Sequence, residues 1–125
     1  MKIYLTGSVE EKEYRRYVHD NYGYLFDIFD PLRMVDQESP ELVLEDKHLI
    51  TISDCLVAYV ERPSFGTPME IIFAYEHDIP VYIISTKFMC NKWVKFHATR
   101  IFTDIDECFA YLLKKLKRQK ANKED

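Results

Sequence analysis

Glu70 is the residue of this chain whose surroundings most invite chemistry. It follows the apolar run Ser53-Asp54-Cys55-Leu56-Val57-Ala58-Tyr59-Val60 and the segment Glu61-Arg62-Pro63-Ser64-Phe65-Gly66-Thr67-Pro68-Met69. The run reads as a buried strand, and the segment as a short loop opening a helix with the carboxylate in its first turn. Such a loop is a natural anion site, because unpaired backbone N–H groups point out of a helix N-terminus. A Glu in a first turn also has a purely structural use, since it favours the helix dipole. Its neighbours Met69, Ile71, Ile72 and Phe73 are apolar, however. The carboxylate then lies against a greasy wall, where ionisation is costly unless something holds the charge. That makes Glu70 a candidate catalytic group.

Two further acids are within range. Asp46 and Asp54 are eight residues apart. A helix running back over the strand would leave Asp54 at the far edge and lift Asp46 by about 12 Å, at about 1.5 Å per residue. Asp46 then reaches the site, and Asp54 orders the connection. Gly7 and Gly66 each follow a strand, with Ser8 and Ser64 close by. Either glycine alone reads as a turn; the pair marks one edge of a sheet. Neither belongs to a dinucleotide fingerprint or a P-loop, so NAD binding and ATP hydrolysis are not supported. His19, His48, His77 and His97 are scattered without metal-ligand spacing.

The elements that must position these residues follow from periodicity. Strands are expected over 2–6, 24–29, 54–60, 80–85 and 100–102. Helices are expected over 10–19, 40–53 (Ser39 as N-cap, Pro40 at the first position), 67–77, a short one within 88–97, and 104–120. Residues 32–39 read as a loop and 121–125 as a frayed end. Strands alternate with helices and are apolar along most of their length, which predicts a five-stranded parallel sheet, doubly wound, with helices on both faces. Ligands in such sheets bind at the strand C-terminal edge, near the switch point. All 125 residues fit one domain.

With 47% hydrophobic residues the chain can bury a core, and a net charge of −4 gives no reason to expect nucleic acid as partner. No apolar run approaches the roughly 20 residues of a membrane span. The strand pattern begins at once, without a signal peptide, and three cysteines without ligand spacing suit a reducing cytoplasm.

The ordered set Ile3-Tyr4-Leu5-Thr6-Gly7-Ser8, Asp46, Asp54-Cys55-Leu56-Val57-Ala58, Pro63-Ser64-Phe65-Gly66 and Glu70 resembles the nucleoside 2-deoxyribosyltransferase family. The resemblance implies a flavodoxin-like (Rossmann-like) fold and cleavage or exchange of an N-glycosidic bond, with no metal or organic cofactor. Glu70 would be the nucleophile that forms a glycosyl-enzyme ester. Tyr4 would orient it, and Asp46 would contact the base and protonate it as it leaves. Gly7, Ser8, Ser64 and Gly66 would bind the substrate. The resemblance also implies a homodimer with a shared active site, in which Asn91 or Lys92, beside Trp93, would enter the neighbouring subunit's site. Tyr22, Tyr24 and Phe65, with residues 30–39, are candidates for contacting the base.

One position separates two branches of that family. Nucleoside transferases carry an Asp six residues before the nucleophile, on the free 5′-hydroxyl; here it is Ser64. A Ser there resembles the 2′-deoxynucleoside 5′-phosphate N-hydrolase branch, because an Asp would repel a 5′-phosphate to which a hydroxyl can donate. Val9-Glu10-Glu11 stands where that branch has a basic residue. The leading expectation is therefore hydrolysis of a (deoxy)nucleoside 5′-monophosphate to base and sugar phosphate. The alternatives are a transferase that exchanges bases, a nucleotide-binding module without turnover, and a flavodoxin-like interaction domain.

Overall fold

The computed structural model describes residues 1–31 and 39–124. Alternation along the central strands builds the molecule. In β1 (Lys2–Gly7), Ile3 and Leu5 point to one face and Tyr4 to the other; in β3 (Cys55–Tyr59), Cys55 and Val57 oppose Leu56 and Ala58. Both faces are apolar, so both must be covered. One core joins Ile3, Leu5, Val57 and Ile84 to Tyr14 and Val18 of α1 (Lys12–Tyr22) and to Cys108, Phe109 and Leu112 of α5 (Ile105–Glu124). The other joins Tyr4, Leu56 and Ile83 to Ile50 of α2 (Leu42–Thr51) and to Ile71 and Ala74 of α3 (Gly66–Glu76). Val94 of the short α4 (Lys92–His97) packs against this second core.

The sheet is completed by β2 (Asp27–Phe29), β4 (Val81–Ile84) and β5 (Arg100–Phe102). All pairings are parallel and the order is β2-β1-β3-β4-β5. The expected doubly wound five-stranded sheet is therefore present. Its switch point lies between β1 and β3, where one connection leaves for each face.

Several boundaries move. β2 is shorter than the expected 24–29, because Leu25 and Phe26 donate backwards to the Tyr22 carbonyl in a turn. α2 starts at Leu42 rather than Pro40: Ser39 accepts from the Glu41 and Leu42 N–H groups in a preceding turn instead of capping the helix. α3 ends without a glycine. Asp78 takes the left-handed conformation (φ 59°), and Asp78 and Ile79 donate to the Tyr75 and Ala74 carbonyls, at 3.2 and 2.9 Å, closing the helix as a Schellman motif. α5, expected to end near 120 with a frayed tail, is helical to Glu124. The loop expected over 32–39 lies, apart from Ser39, outside the described residues. Among the described residues no helix is long and apolar enough to cross a membrane.

Candidate active site

The site grows from two periodicities that meet. Tyr4 and Thr6 are two apart on β1 and share its α3-facing side; Thr67 and Glu70 are three apart on α3 and share the side turned to β1. The Tyr4 hydroxyl donates a short hydrogen bond to Glu70 Oε2. The Thr6 hydroxyl donates to Glu70 Oε1 at 2.9 Å and lies 3.2 Å from the Thr67 hydroxyl. Glu70 is the fifth residue of α3, not part of its first turn, which contains no acid. The dipole reading of Glu70 thereby loses its force, and the hydrogen-bonded carboxylate remains. Pro68 is the third helical residue, a place whose N–H would lack a helical partner in any case.

Burial raises the Glu70 carboxyl from its ordinary 4.5 to about 7, and the Asp46 charge adds to the rise. The Tyr4 and Thr6 donors and the Arg15 guanidinium offset only part of it. Tyr4 is held far above its ordinary value by burial and by the Glu70 charge, so it remains a donor. Asp46 is also raised, first by burial and then by the charge of Glu45. Its Oδ1 is buried and has no hydrogen-bond partner among the described residues. The site thus holds two protonatable acids: one clamped, one with an oxygen still to be satisfied.

The other sequence candidates divide. Gly7 ends β1 where the chain passes close to β3: a Cβ there would sit 3.3 Å from the Tyr59 carbonyl oxygen. Gly66 faces the site, since a Cβ there would lie 3.8 Å from Glu70 Oε1. Neither glycine has positive φ; what they supply is room. Ser8 shapes the start of α1, its hydroxyl accepting from Glu10 N–H at 3.3 Å and its carbonyl from Glu11 N–H at 2.9 Å. Ser64 is half-buried and lines a mostly apolar cavity of about 390 Å³ between α3 and α4, with Arg62, Thr67, Ile71, Asn91 and Trp93. Asn91 caps α4: its Oδ1 accepts from the Trp93 and Val94 N–H groups at 2.9 and 3.3 Å. What it has left to offer is its amide NH2. Asp54 lies at the far edge as expected, accepting from Lys2 N–H at 2.7 Å.

Two of the three proposed base contacts are corrected. Tyr22 stacks on Phe109 with centroids 4.4 Å apart and donates to Asp106, so it belongs to the opposite face of the sheet. Tyr24 lies just before β2, at the strand N-terminal edge, away from Glu70. Phe65, the N-cap of α3, is 88% exposed beside the site.

Three residues were not singled out from sequence. Thr6 was signalled only by its spacing from Tyr4. Thr67 was signalled only by its spacing from Glu70. Arg15 is a buried cation that ties the end of β1 to the residue after β2, donating to Asp30 Oδ1 at 2.5 Å and to the Gly7 carbonyl at 2.6 Å, while His19 meets Asp30 Oδ2 at 3.1 Å. At the rim, Arg62 pairs with Glu10 at 2.6 Å and with Glu11 at 2.8 Å. The acids that follow β1 are thereby joined to the loop that follows β3.

No protein-family model and no curated protein sequence matches the chain. Solved structures do. The chain is similar to a conserved protein of Enterococcus faecalis V583, at 20% identity and a TM-score of 0.69, covering 95% of this chain and 98% of that one. It is similar to a 2-deoxyribosyltransferase of Bacillus psychrosaccharolyticus, at 22% identity and a TM-score of 0.67, covering 86% and 89%. It is likewise similar to a 2-deoxyribosyltransferase of Leishmania mexicana, at 16% identity and a TM-score of 0.69, covering 90% and 97%. At such identities the likeness is one of fold: this chain shares the architecture of the deoxyribosyltransferases over nearly its whole length.

Proposed function

We propose that the chain is an enzyme that cleaves the N-glycosidic bond of a (deoxy)nucleoside or its 5′-monophosphate, with Glu70 as nucleophile. The observation that carries this reading is the Glu70 carboxylate, held by Tyr4 and Thr6 at the switch-point edge with Asp46 in electrostatic reach. A poorly hydrated carboxylate gains most from a cation, and the bond breaks through a sugar that becomes cationic at C1′. One Glu70 oxygen bonds to C1′ as the C1′–N bond breaks. The bonding pair leaves with the base, which takes a proton from the Asp46 carboxyl. An acceptor then adds to C1′ and frees the Glu70 carboxylate; when the acceptor is water, its proton returns to Asp46.

Hydrolysis of a 5′-monophosphate is the first reading of substrate and acceptor, supported by Ser64 in place of an acid. A second reading, exchange of bases, is favoured by the two 2-deoxyribosyltransferases among the similar structures. Incubating the protein with nucleosides and their 5′-monophosphates, and measuring free base by chromatography, tests the chemistry. Equal base release by wild type and Glu70→Ala refutes it. Adding a second base decides the acceptor: a new nucleoside formed faster than free sugar establishes transfer.

A homodimer with a shared site is part of the same proposal, in a soluble cytoplasmic protein acting on small molecules. Ile72, Tyr75, Trp93 and Phe96 line up on α3 and α4, with Trp93 64% and Phe96 66% exposed. An apolar face of that kind beside the Ser64 and Asn91 cavity suits a second copy. Sedimentation of wild type and Trp93→Glu tests it; equal monomeric masses refute the dimer.

A further inference from the structure

A carboxylate held by one donor can still turn about its last carbon–carbon bond; one held at both oxygens cannot. Glu70 is held at both. Thr6 has a single hydroxyl proton, and that proton is committed to Oε1. In the 3.2 Å contact between the two threonines, Thr67 is therefore the donor and Thr6 the acceptor. The result is a directed row, from the Thr67 hydroxyl to the Thr6 hydroxyl to Glu70 Oε1. Thr6 is 2% and Thr67 5% exposed, and Ala58, Ile71 and Ala74 are buried on the same face of the sheet. Water does not compete for these bonds, and two buried hydroxyls without partners would be costly.

We propose that Thr6, backed by Thr67, is a positioning residue for Glu70, fixing the plane of its carboxylate while Tyr4 holds the other oxygen. The assignment rests on Glu70 being the nucleophile. Nucleophilic attack tolerates only small errors in angle, so a carboxylate free to turn binds substrate as before but reacts more slowly.

The test uses Thr6→Val, which keeps the branched shape and loses the donor, and Thr6→Ser, which keeps the donor. The groups that act on Glu70 are Tyr4 of β1, Asp46 of α2 and Arg15 of α1, and all three remain in both variants. The Glu70 carboxyl is followed by carbon NMR in protein labelled at glutamate, with Glu70→Gln assigning the signal. Losing a donor to a charged acceptor makes Glu70 about tenfold or more easier to protonate, so Thr6→Val titrates about one pH unit higher or more, and Thr6→Ser close to wild type. In turnover, kcat falls by about tenfold or more in Thr6→Val with little change in KM. Wild-type titration and kcat in Thr6→Val overturn the proposal, as does a Thr6→Ser protein that behaves like Thr6→Val. If the wild type releases no base, the proposed function fails, while the titration alone still decides whether Thr6 holds the carboxylate. If Thr6→Val does not fold, Thr67→Val replaces it: a smaller upward shift supports the row, and no shift overturns it.

Discussion

Replacing Glu70 with Gln is expected to make the protein more stable and inactive. A carboxyl that titrates at about 7 instead of 4.5 is ionised in the fold at a cost of about 3 kcal/mol, at about 1.4 kcal/mol per pH unit. The sign follows from proton counts. Between pH 4.5 and 7 the folded state binds more protons at Glu70 than the unfolded state, so stability falls as pH rises through this window and levels off above it. Gln has nearly the same shape. Its carbonyl can accept from Tyr4, and its amide can donate to Thr6 if the threonine proton turns towards Thr67. Denaturant unfolding at pH 8 is therefore expected to show a gain of about 3 kcal/mol over wild type, or roughly 10 °C in Tm. At pH 5, where little of the penalty has developed, the gain shrinks to about 1 kcal/mol or less. A variant no more stable than wild type at pH 8, or a gain that does not change with pH, refutes the electrostatic argument. A stabilised variant that still releases base at the wild-type rate refutes the role of Glu70 as nucleophile.

Gly66→Ala is expected to fold normally, since its backbone is helical without positive φ, yet to raise KM, because the new methyl stands 3.8 Å from Glu70 Oε1; thermal unfolding and substrate titration read the two effects separately. Ser64→Asp is expected to lower kcat/KM for 5′-monophosphates by tenfold or more while sparing the matching nucleosides, through like-charge repulsion; an equal loss on both substrates counts against a phosphate beside Ser64. Asp30→Asn leaves the buried Arg15 short of its carboxylate partner, and denaturant unfolding is expected to show a loss of about 3 kcal/mol or more. On the free enzyme, the pH profile of kcat/KM is expected to show an ionisation at about 7, that of the Glu70 carboxyl; a profile without it counts against Glu70 as the reacting group.

The sheet was legible because its strands are apolar on both faces, as in Cys55-Leu56-Val57-Ala58, and because strand and helix signals alternate. Tyr4 and Glu70 were brought together by resemblance and then by geometry; no local signal joins residues 66 apart. The first-turn placement of Glu70 failed by one position, because the helix begins at Gly66 rather than at Thr67 and a Pro at its third residue gave no boundary. The strand expected over 24–29 is present but begins only at Asp27, because Tyr24 and Leu25 look like strand residues but stay exposed in a turn. Thr6 was passed over because a threonine in a strand is ordinary, and its partner lies on another element. Asn91 was read for its chemistry, and in the structure its oxygen serves the backbone of α4.

The strand order has a consequence for how the chain comes together. β1 is the first element in sequence and a middle strand in space, flanked by β2 and β3. Its pairing with β2 spans three register positions, Lys2↔Asp27 to Tyr4↔Phe29, whereas its pairing with β3 spans five, Ile3↔Cys55 to Gly7↔Tyr59. The apolar segment that begins the chain must therefore wait some fifty residues for its main neighbour, and loop closure over that distance slows the step. During synthesis, before Cys55–Tyr59 is available, one long edge of β1 stays unpaired and open to aggregation. Folding yield is thus expected to depend more on how fast β3 docks than on the strength of any helix.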